Sequence, residues 1–366
     1  MKFIHIADMH FDCPFTNLSD KDNLGEMRRL EQRKSFKEVI NYIKNNNIEY
    51  FFIAGDLYEQ KYVKKTTIEY INNLFKEIPK TKIYITPGNH DPLIKNSFYN
   101  NFIWNENVHI FNGNVQKIEN SEIDIYGYGF DDYYFKEDKI HNLNIENKEK
   151  INILITHATL DGASLEDKEY NSISKRILIE KGFDYVALGH IHKTNYGENE
   201  NIVYPGSTVS IGFDELGKHG MIEGEIINKK LTTKFIPIET TEFVENELDT
   251  TEIISKEELI EKINEIKLEE NKLYKIILIG KRNFEININE LYKYNLNEKI
   301  IKIKNKTKLN YNLEKLANET TLKGLFINEI LNRLNKCQTE EERKTLEKAL
   351  EIGMSVLEWY FWKLKK

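Results

Sequence analysis

The chain has little of several things, and each shortage excludes a class of protein. Its 366 residues include two cysteines, Cys13 and Cys337, too few for a disulfide framework. No apolar run approaches the length, about eighteen residues, that spans a bilayer. The opening MKFIHIADMH places Asp8 and two histidines where a signal peptide needs an apolar core. A reducing cytoplasm and no membrane association are therefore expected. Positive charge is not in excess: 52 Lys and Arg face 59 Asp and Glu, for a net charge of −7. Such a chain has no whole-molecule attraction to nucleic acid, so a role on DNA needs a local basic surface or a bound metal. Internal repeats and low-complexity linkers are absent as well. What remains, 40% hydrophobic and 30% charged, is a globular composition, and the length points to two or three domains.

Strand-like and helix-like segments alternate through the first 240 residues. Apolar, β-rich runs fall at 3–7, 50–54, 82–86, 108–111, 123–128, 151–156 and 185–188, with others at 202–204, 220–227 and 232–238. Helical spacing joins Phe36, Val39, Ile40 and Ile43 within 24–44, and Ile68, Ile71, Leu74 and Phe75 within 66–77, just before Pro79. This predicts an α/β layered domain over 1–240 whose sheets become mixed toward its end. The polar stretch 239–251 shows no apolar periodicity and reads as a boundary. Beyond it, Ser255 to Glu258 forms a capping box ahead of Leu259, Ile260, Ile263 and Ile266. With strands expected at 273–279 and 299–304, residues 245–306 read as a small α+β domain. Residues 311–366 read as two helices with broad apolar stripes, the second opening at Thr339 to Glu342 and ending in the aromatic cluster Trp359, Tyr360, Phe361 and Trp362. Such a terminal cluster makes docking or dimerisation an expectation beside plain packing.

Five short clusters carry the chemistry: Asp8-Met9-His10, Gly55-Asp56, Gly88-Asn89-His90-Asp91, His157, and Gly189-His190-Ile191-His192. Each follows an expected strand, at the edge where open α/β sheets gather ligands. Asp8 with His10, and His190 with His192, are i, i+2 pairs, whose side chains share one side of an extended chain. A mixed oxygen and nitrogen donor set suits Mn²⁺, Fe²⁺ or Zn²⁺ better than Ca²⁺. The donors outnumber the needs of one ion. A shared carboxylate would let two ions sit about 3.5–4 Å apart and clamp a phosphoryl group for in-line displacement. Any one cluster alone would mean little; five in this order form a strong joint signal.

This set of D-x-H, G-D, G-N-H-D, T-H and G-H-I-H resembles the calcineurin-like metallophosphoesterase superfamily. More narrowly, IHIADMHFDCPF at the start, ENVHIF at 106–111, GFDYVALGHIHK at 182–193 and YPGS at 204–207 resemble the SbcD and YhaO-type DNA repair exonucleases. The resemblance covers 1–240 and is only architectural beyond. It implies a four-layer α-β-β-α sandwich, followed by the small α+β capping domain and the C-terminal helices, with two divalent ions, usually Mn²⁺. Asp8, His10, Asp56 and His192 would hold one ion. Asp56 would bridge to the second, completed by Asn89, His157 and His190. His90 would protonate the leaving oxygen, with Asp91 placed to hold its imidazole. The implied function is a Mn²⁺-dependent DNA exonuclease, with endonuclease activity also open, in DNA end processing and repair, using a metal-bridging hydroxide for in-line attack. Archaeal relatives carry a histidine three residues after the bridging aspartate, where this chain has Glu59. Metal binding should survive that difference while strand preference or rate changes, unless Glu59 is a plain surface carboxylate.

Other candidates are weaker. Arg28, Arg29, Arg33 and Lys34, with Lys37, form a basic cluster on the first helix, and Lys61, Lys64 and Lys65 form another; either could position a phosphate backbone. His5 reads as a packed residue and Cys13 as structural; His109 and His141 match no ligand motif, and His219 sits in a turn that could line the cleft. A small-molecule phosphodiesterase or phosphatase on the same metal core is the enzymatic alternative, although Asp56-Leu57-Tyr58-Glu59 departs from the Asp-Arg-Gly of protein phosphatases. A different class of reading, carried by the resemblance, is a subunit that docks an SbcC-like coiled-coil ATPase through its C-terminal helices. A homodimer is implied by the same analogy.

Overall fold

A computed structural model describes residues 1–15, 24–134, 139–161, 171–197, 200–282, 284–310 and 313–364. By its contacts the chain divides into two compact units. One comprises Met1–Glu245, Leu268–Lys275 and Lys299–Ile301; the other comprises Asn246–Lys267, Ile276–Glu298 and Lys302–Lys366.

The first unit opens with strand β1 (Lys2–Ile6), helix α1 (Leu24–Asn45), β2 (Tyr50–Ala54), α2 (Lys65–Lys76), β3 (Lys82–Thr86), the short α3 (Phe98–Asn101) and β4 (Val108–Ile110). The chain continues through β5 (Gln116–Glu119), β6 (Ile123–Tyr128) and β7 (Ile151–His157). Then come the small pair β8 (Thr159–Leu160) and β9 (Ser172–Ile173), α4 (Lys175–Lys181), β10 (Tyr185–Gly189) and β11 (Ile202–Val203). The antiparallel strands β12 (Gly220–Ile227) and β13 (Lys230–Pro237) follow. These strands make a six-stranded sheet in the order β13-β12-β1-β2-β3-β4 and a five-stranded sheet in the order β11-β10-β7-β6-β5. The first is mixed: β1 runs parallel to β2, with Phe3 opposite Tyr50, and antiparallel to β12, with Phe3 opposite Gly224.

The sequence explains this layering. Strand β2, YFFIA, is apolar on every residue and buried throughout, as suits a parallel strand covered on both faces. Its alternate residues part company. Tyr50, Phe52 and Ala54 join Phe3 and Tyr84 against Ile125, Ile153, Ile155, Tyr185 and Ala187 of the other sheet. Phe51 and Ile53 join Ile4, Ile6, Ile83 and Ile85 under Phe36, Val39, Ile40 and Ile43 of α1 and Ile68, Ile71, Leu74 and Phe75 of α2. On its other face the five-stranded sheet packs Leu154, Val186 and Leu188 with Leu178 of α4. Each sheet is thus covered twice, and the carboxyl ends of β1, β2, β3, β7 and β10 carry the five expected ligand clusters.

The strand β14 (Glu242–Asp249) occupies most of the polar stretch 239–251 that reads as a boundary. Its sequence EFVENELD buries one large side chain, Phe243, so no alternating pattern marks it. It is an edge strand in the order β14-β15-β17, and the division between the units falls within it.

In the second part of the chain, α5 (Lys256–Asn264) precedes β15 (Lys272–Ile279), β16 (Lys281–Arg282), α6 (Ile288–Leu291), β17 (Ile300–Asn305) and β18 (Lys308–Leu309). Three helices end it: α7 (Leu313–Ala317), α8 (Leu322–Leu334) and α9 (Glu340–Leu364). The expected caps form, with Glu258 N donating to Ser255 Oγ at 3.2 Å and Glu342 N to Thr339 Oγ1 at 3.2 Å. The side chains of Trp359, Tyr360, Phe361 and Trp362 lie outside the described residues. Among the described residues no helix is long and apolar enough to cross a membrane.

His5 is fully buried between the two sheets, where its Nδ1 meets the Tyr185 hydroxyl at 2.9 Å. Burial drives its pKa from 6.5 to about 3, against a weaker opposing contact with the Leu188 backbone. Because the folded value lies below the unfolded one, the neutral ring stabilises the fold above about pH 6.5, and that stability is lost as pH falls from there toward about 3. From about pH 7 to about pH 5 this one group should cost about 2 kcal/mol. Urea unfolding at both values should show a His5→Gln variant losing that much less than the parent protein over the interval. Equal losses would remove His5 as the cause.

Candidate metal centre

The ligand-bearing loops reach the site through left-handed backbone, not by the extended alternation expected for the i, i+2 pairs. Asp8, His10, Asp56 and His190 have φ of 54°, 46°, 53° and 102°. Such values are costly for non-glycine residues and persist only where surrounding bonds enforce them. Here Asp8 N and His10 N donate to Gly55 O and Asp56 O, at 3.1 and 2.9 Å, which ties the end of β1 to the end of β2. The Gln32 side chain of α1 donates to the carbonyls of Met9 and His10, at 2.9 Å each. Glycine precedes the ligands where backbones crowd. A Cβ on Gly189 would lie 1.8 Å from Ala54 O, and one on Gly88 would lie 2.2 Å from Asp56 Oδ1.

Three overlapping groups of donors result: Asp8, His10 and His192; His10, Asp56 and His90; and Asp8, Asp56 and His157. Asp56 Oδ2 stands 3.2 Å from His157 Nε2 and 3.7 Å from His10 Nε2, so one carboxylate oxygen faces both halves of the cluster. Asp8 Oδ1 is 3.8 Å from His192 Nε2. Asn89 Oδ1 lies 3.0 Å from His157 Nε2 and 3.3 Å from His190 Nδ1. All seven expected ligands therefore gather in one place, with Asp8, His10, Asp56 and His157 buried and Asn89, His190 and His192 half-buried.

The hydrogen bonds behind the imidazoles decide which nitrogens carry lone pairs. His10 Nδ1 donates to Glu59 Oε1 at 2.8 Å, His192 Nδ1 to Glu215 Oε1 at 2.6 Å, and His157 Nδ1 to Ala54 O at 2.9 Å. The acceptors cannot donate, so each Nδ1 must hold the hydrogen and each neutral ring turns a bare Nε2 inward. His10 Nε2 and His192 Nε2 then face each other at 3.0 Å. Two lone pairs at that distance repel unless positive charge lies between them. It is the separation of neighbouring donors on a single ion with metal–nitrogen bonds of about 2.1 Å. Likewise His157 Nε2, Asn89 Oδ1 and Asp56 Oδ2 form a nest of acceptors. The donor set fits divalent cations.

The ionisation of the site expresses the same pressure. Burial works against charge on His157 and His192, yet Asp56 and Asp8 beside the first, and Glu215 and Asp8 beside the second, lift both to about 9. Burial also opposes the Asp56 carboxylate, but His157, His90 and His10 hold it well below the usual carboxylate range. Asp8 is raised, by its complete burial.

His90 stands at the mouth, its side chain 44% exposed, where the site's aspartates and His10 and His157 are at most 1% exposed. Its expected partner is corrected by the structure. Asp91 accepts from Asp56 N at 3.1 Å, Leu57 N at 2.6 Å, Gly88 N at 2.6 Å and the Tyr99 hydroxyl at 2.6 Å. It fastens the Asp56 turn to the Gly88 turn and leaves the imidazole to Glu59, whose Oε2 lies 3.1 Å from His90 Nδ1. Adjacency in sequence suggested Asp91 because the fold that brings residue 59 to residue 90 is not visible in a motif.

Of the basic cluster on α1, Arg28 must be withdrawn as a DNA contact. It is 1% exposed, bonds Glu31 and the carbonyls of Ser210 and Thr241, and lies over the Phe243 ring. Arg33 is held by Asp12 and Thr67. Arg29 is half-buried, and Lys34 is exposed. Glu215 was missed by sequence reasoning, which noticed only His219 in the same GFDELGKHG turn. His219 is buried behind Glu215, bonded to Ser207 and to the Glu215 carbonyl, and does not face the donors. Ser207 Oγ in turn donates to Glu215 Oε2 at 2.8 Å. Cys13 is buried beside Phe15 and Phe243, and burial pushes its thiol up to about 11, which fits a structural role. His109 stacks against Tyr84 and Phe111, and His141 offers its carbonyl to Lys181.

Two packed sheets with buried carboxylates and imidazoles at their strand ends form a candidate divalent-metal centre. A family model for calcineurin-like phosphoesterases matches residues 1–194, more than half of the chain, and the chain belongs to that family. It is also 27% identical over 246 residues to the uncharacterized metallophosphoesterase YhaO of Bacillus subtilis (strain 168), an alignment covering 64% of this chain and 60% of that protein. The chain thus spans about 60% of the length of this relative.

Replacing Asp91 by Ala strips three backbone N–H groups and a phenol of their acceptor. It should cost at least about 3 kcal/mol in urea unfolding and weaken divalent-metal binding. A loss below about 1 kcal/mol would contradict the fastening role of Asp91.

Proposed function

We propose that this protein is a Mn²⁺-dependent DNA nuclease, an exonuclease that processes DNA ends. Its two-ion reading is carried by one observation: Asp56 Oδ2 faces donors on both sides. Asp8, His10, Asp56 and His192 would hold one ion, and Asp56, Asn89, His157 and His190 the other. When bound, such ions supply Lewis acidity toward the phosphoryl oxygens and an activated nucleophile at neutral pH. The chain does the rest. The buried carboxylates and the carbonyl and carboxylate acceptors behind the imidazoles fix the donor positions. His90, with Nδ1 held by Glu59 and its side chain exposed, gives the proton of Nε2 to the departing oxygen. Burial alone would lower its pKa, but the Glu59 bond and the Asp56 charge raise it to about 9, so the proton is in place at neutral pH. A phosphodiester that expels an alkoxide needs such a donor.

Support for DNA as the diester comes from the ENVHIF, GFDYVALGHIHK and YPGS segments and from the surface beside His90. Gln60 N donates to His90 O at 3.0 Å, so the loop that follows carries the exposed Lys61, Lys64 and Lys65 next to the mouth. These cations, unlike Arg28, are available to phosphates. The second unit would act as a cap that guides DNA, and α8 and α9 would dock a coiled-coil ATPase or a second copy of the chain. Exposed Leu322 and Leu325 on α8, and Ile352 and Val356 on α9, support a docking role.

The test is degradation of linear DNA with Mn²⁺ by the protein and by Asp56→Ala. Activity should be present in the first and reduced at least about a thousandfold in the second. Absence of DNA cleavage together with rapid hydrolysis of a small phosphodiester would overturn the DNA reading and favour a small-molecule phosphodiesterase.

A further inference from the structure

Glu59 holds two histidines with one carboxylate. Oε1 accepts from His10 Nδ1 at 2.8 Å and Oε2 from His90 Nδ1 at 3.1 Å, while the two rings meet edge to face with centroids 4.7 Å apart. The side chain is 13% exposed, and its backbone is anchored by Glu59 N to Phe11 O at 3.0 Å and by Val63 N to Glu59 O at 2.8 Å. It therefore lacks the freedom of a surface carboxylate. From these contacts we infer that Glu59 is a positioning residue that locks the metal-facing His10 and the proton-donating His90 into one rigid unit, so that donor geometry and leaving-group protonation depend on the same side chain.

The chemistry of the carboxylate makes this specific. Each oxygen serves a different imidazole by accepting its Nδ1–H, which leaves Nε2 a lone pair on neutral His10 and a second N–H on protonated His90. An amide in its place has one acceptor oxygen and a donor NH₂ group, and it can hold only one of the two Nδ1–H groups at a time. Glu215 performs the single-handed version of the task on His192, spending its second oxygen on Ser207 and on Ile211 N. Glu59, by contrast, holds the imidazoles of both a donor of the metal cluster and the group at the mouth.

The inference rests on the metal-dependent phosphodiesterase reading, and its test separates the two. The full chain, Glu59→Ala and Glu59→Gln are titrated with Mn²⁺ by calorimetry, with thermal unfolding as a control for folding. All three are then assayed on linear DNA and on bis(p-nitrophenyl) phosphate, whose nitrophenolate leaves without a proton. Glu59→Ala should bind Mn²⁺ about 10- to 100-fold more weakly, and should lose more rate on DNA than on the nitrophenyl ester. Glu59→Gln should show one of these two defects and be spared most of the other. His90→Ala should reproduce the leaving-group defect with Mn²⁺ binding intact, and adding it to Glu59→Ala should leave that defect no larger. Unchanged Mn²⁺ affinity in a folded Glu59→Ala would overturn the hold on His10, and equal losses on both substrates would overturn the hold on His90. If the unsubstituted protein binds no Mn²⁺, the metal reading itself falls, which is a distinct outcome from either.

Discussion

The structure depends on an accumulation of acceptors that only positive charge can relieve. His157 Nε2 stands 3.2 Å from Asp56 Oδ2 and 3.0 Å from Asn89 Oδ1, and His10 Nε2 opposes His192 Nε2 at 3.0 Å. In the neutral form, each imidazole held from behind keeps its hydrogen outward on Nδ1 and its Nε2 lone pair inward. A fold selected for stability alone has no use for this. Buried like-signed groups cost free energy, and so do the left-handed conformations at Asp8, His10, Asp56 and His190 that deliver them. The two sheets, Gln32, and the Asp91 bonds make those costs bearable, which is the usual relation between a scaffold and a site.

The layering of the first unit follows from this need for rigidity. Strands buried on both faces, such as β2, cannot shift register without exposing apolar residues, so their carboxyl ends are fixed points. The expected ligands sit at those points or in the short turns that follow, and glycines at 88 and 189 allow them to approach to distances no Cβ would permit. Charge is balanced locally: Glu59 and Glu215 each hold an imidazole whose other face looks inward, and the net effect is a pocket of fixed dipoles. Beyond it, exposed lysines at 61, 64 and 65 place positive charge on a chain whose net charge is −7.

Much of this was legible in the sequence, and the rest was hidden for identifiable reasons. Central strands were plain because they are rich in apolar, β-branched and aromatic residues: 50–54, 82–86 and 123–128 coincide with β2, β3 and β6. Strand β14 was hidden because an edge strand with one buried side chain has no period to read. Ligand clusters were visible as motifs, since a motif records what a strand end carries. The carboxylates behind the imidazoles were not, because Glu59 and Glu215 reach their histidines across 49 and 23 residues of chain. For the same reason Asp91 was mistaken for the partner of His90, and Arg28 for a surface cation. Helical charge runs do not reveal which member is turned inward, and Arg28 is the one that anchors α1 to the carbonyls of Ser210 and Thr241.

The claim that underlies all of this is that one carboxylate, Asp56, serves two ions at once. It is tested most directly by titrating the metal-free chain with Mn²⁺ while recording electron paramagnetic resonance. The account predicts two bound ions per chain whose signals are magnetically coupled, and loss of that coupling in Asp56→Ala. One bound ion, or two that remain uncoupled, would contradict it.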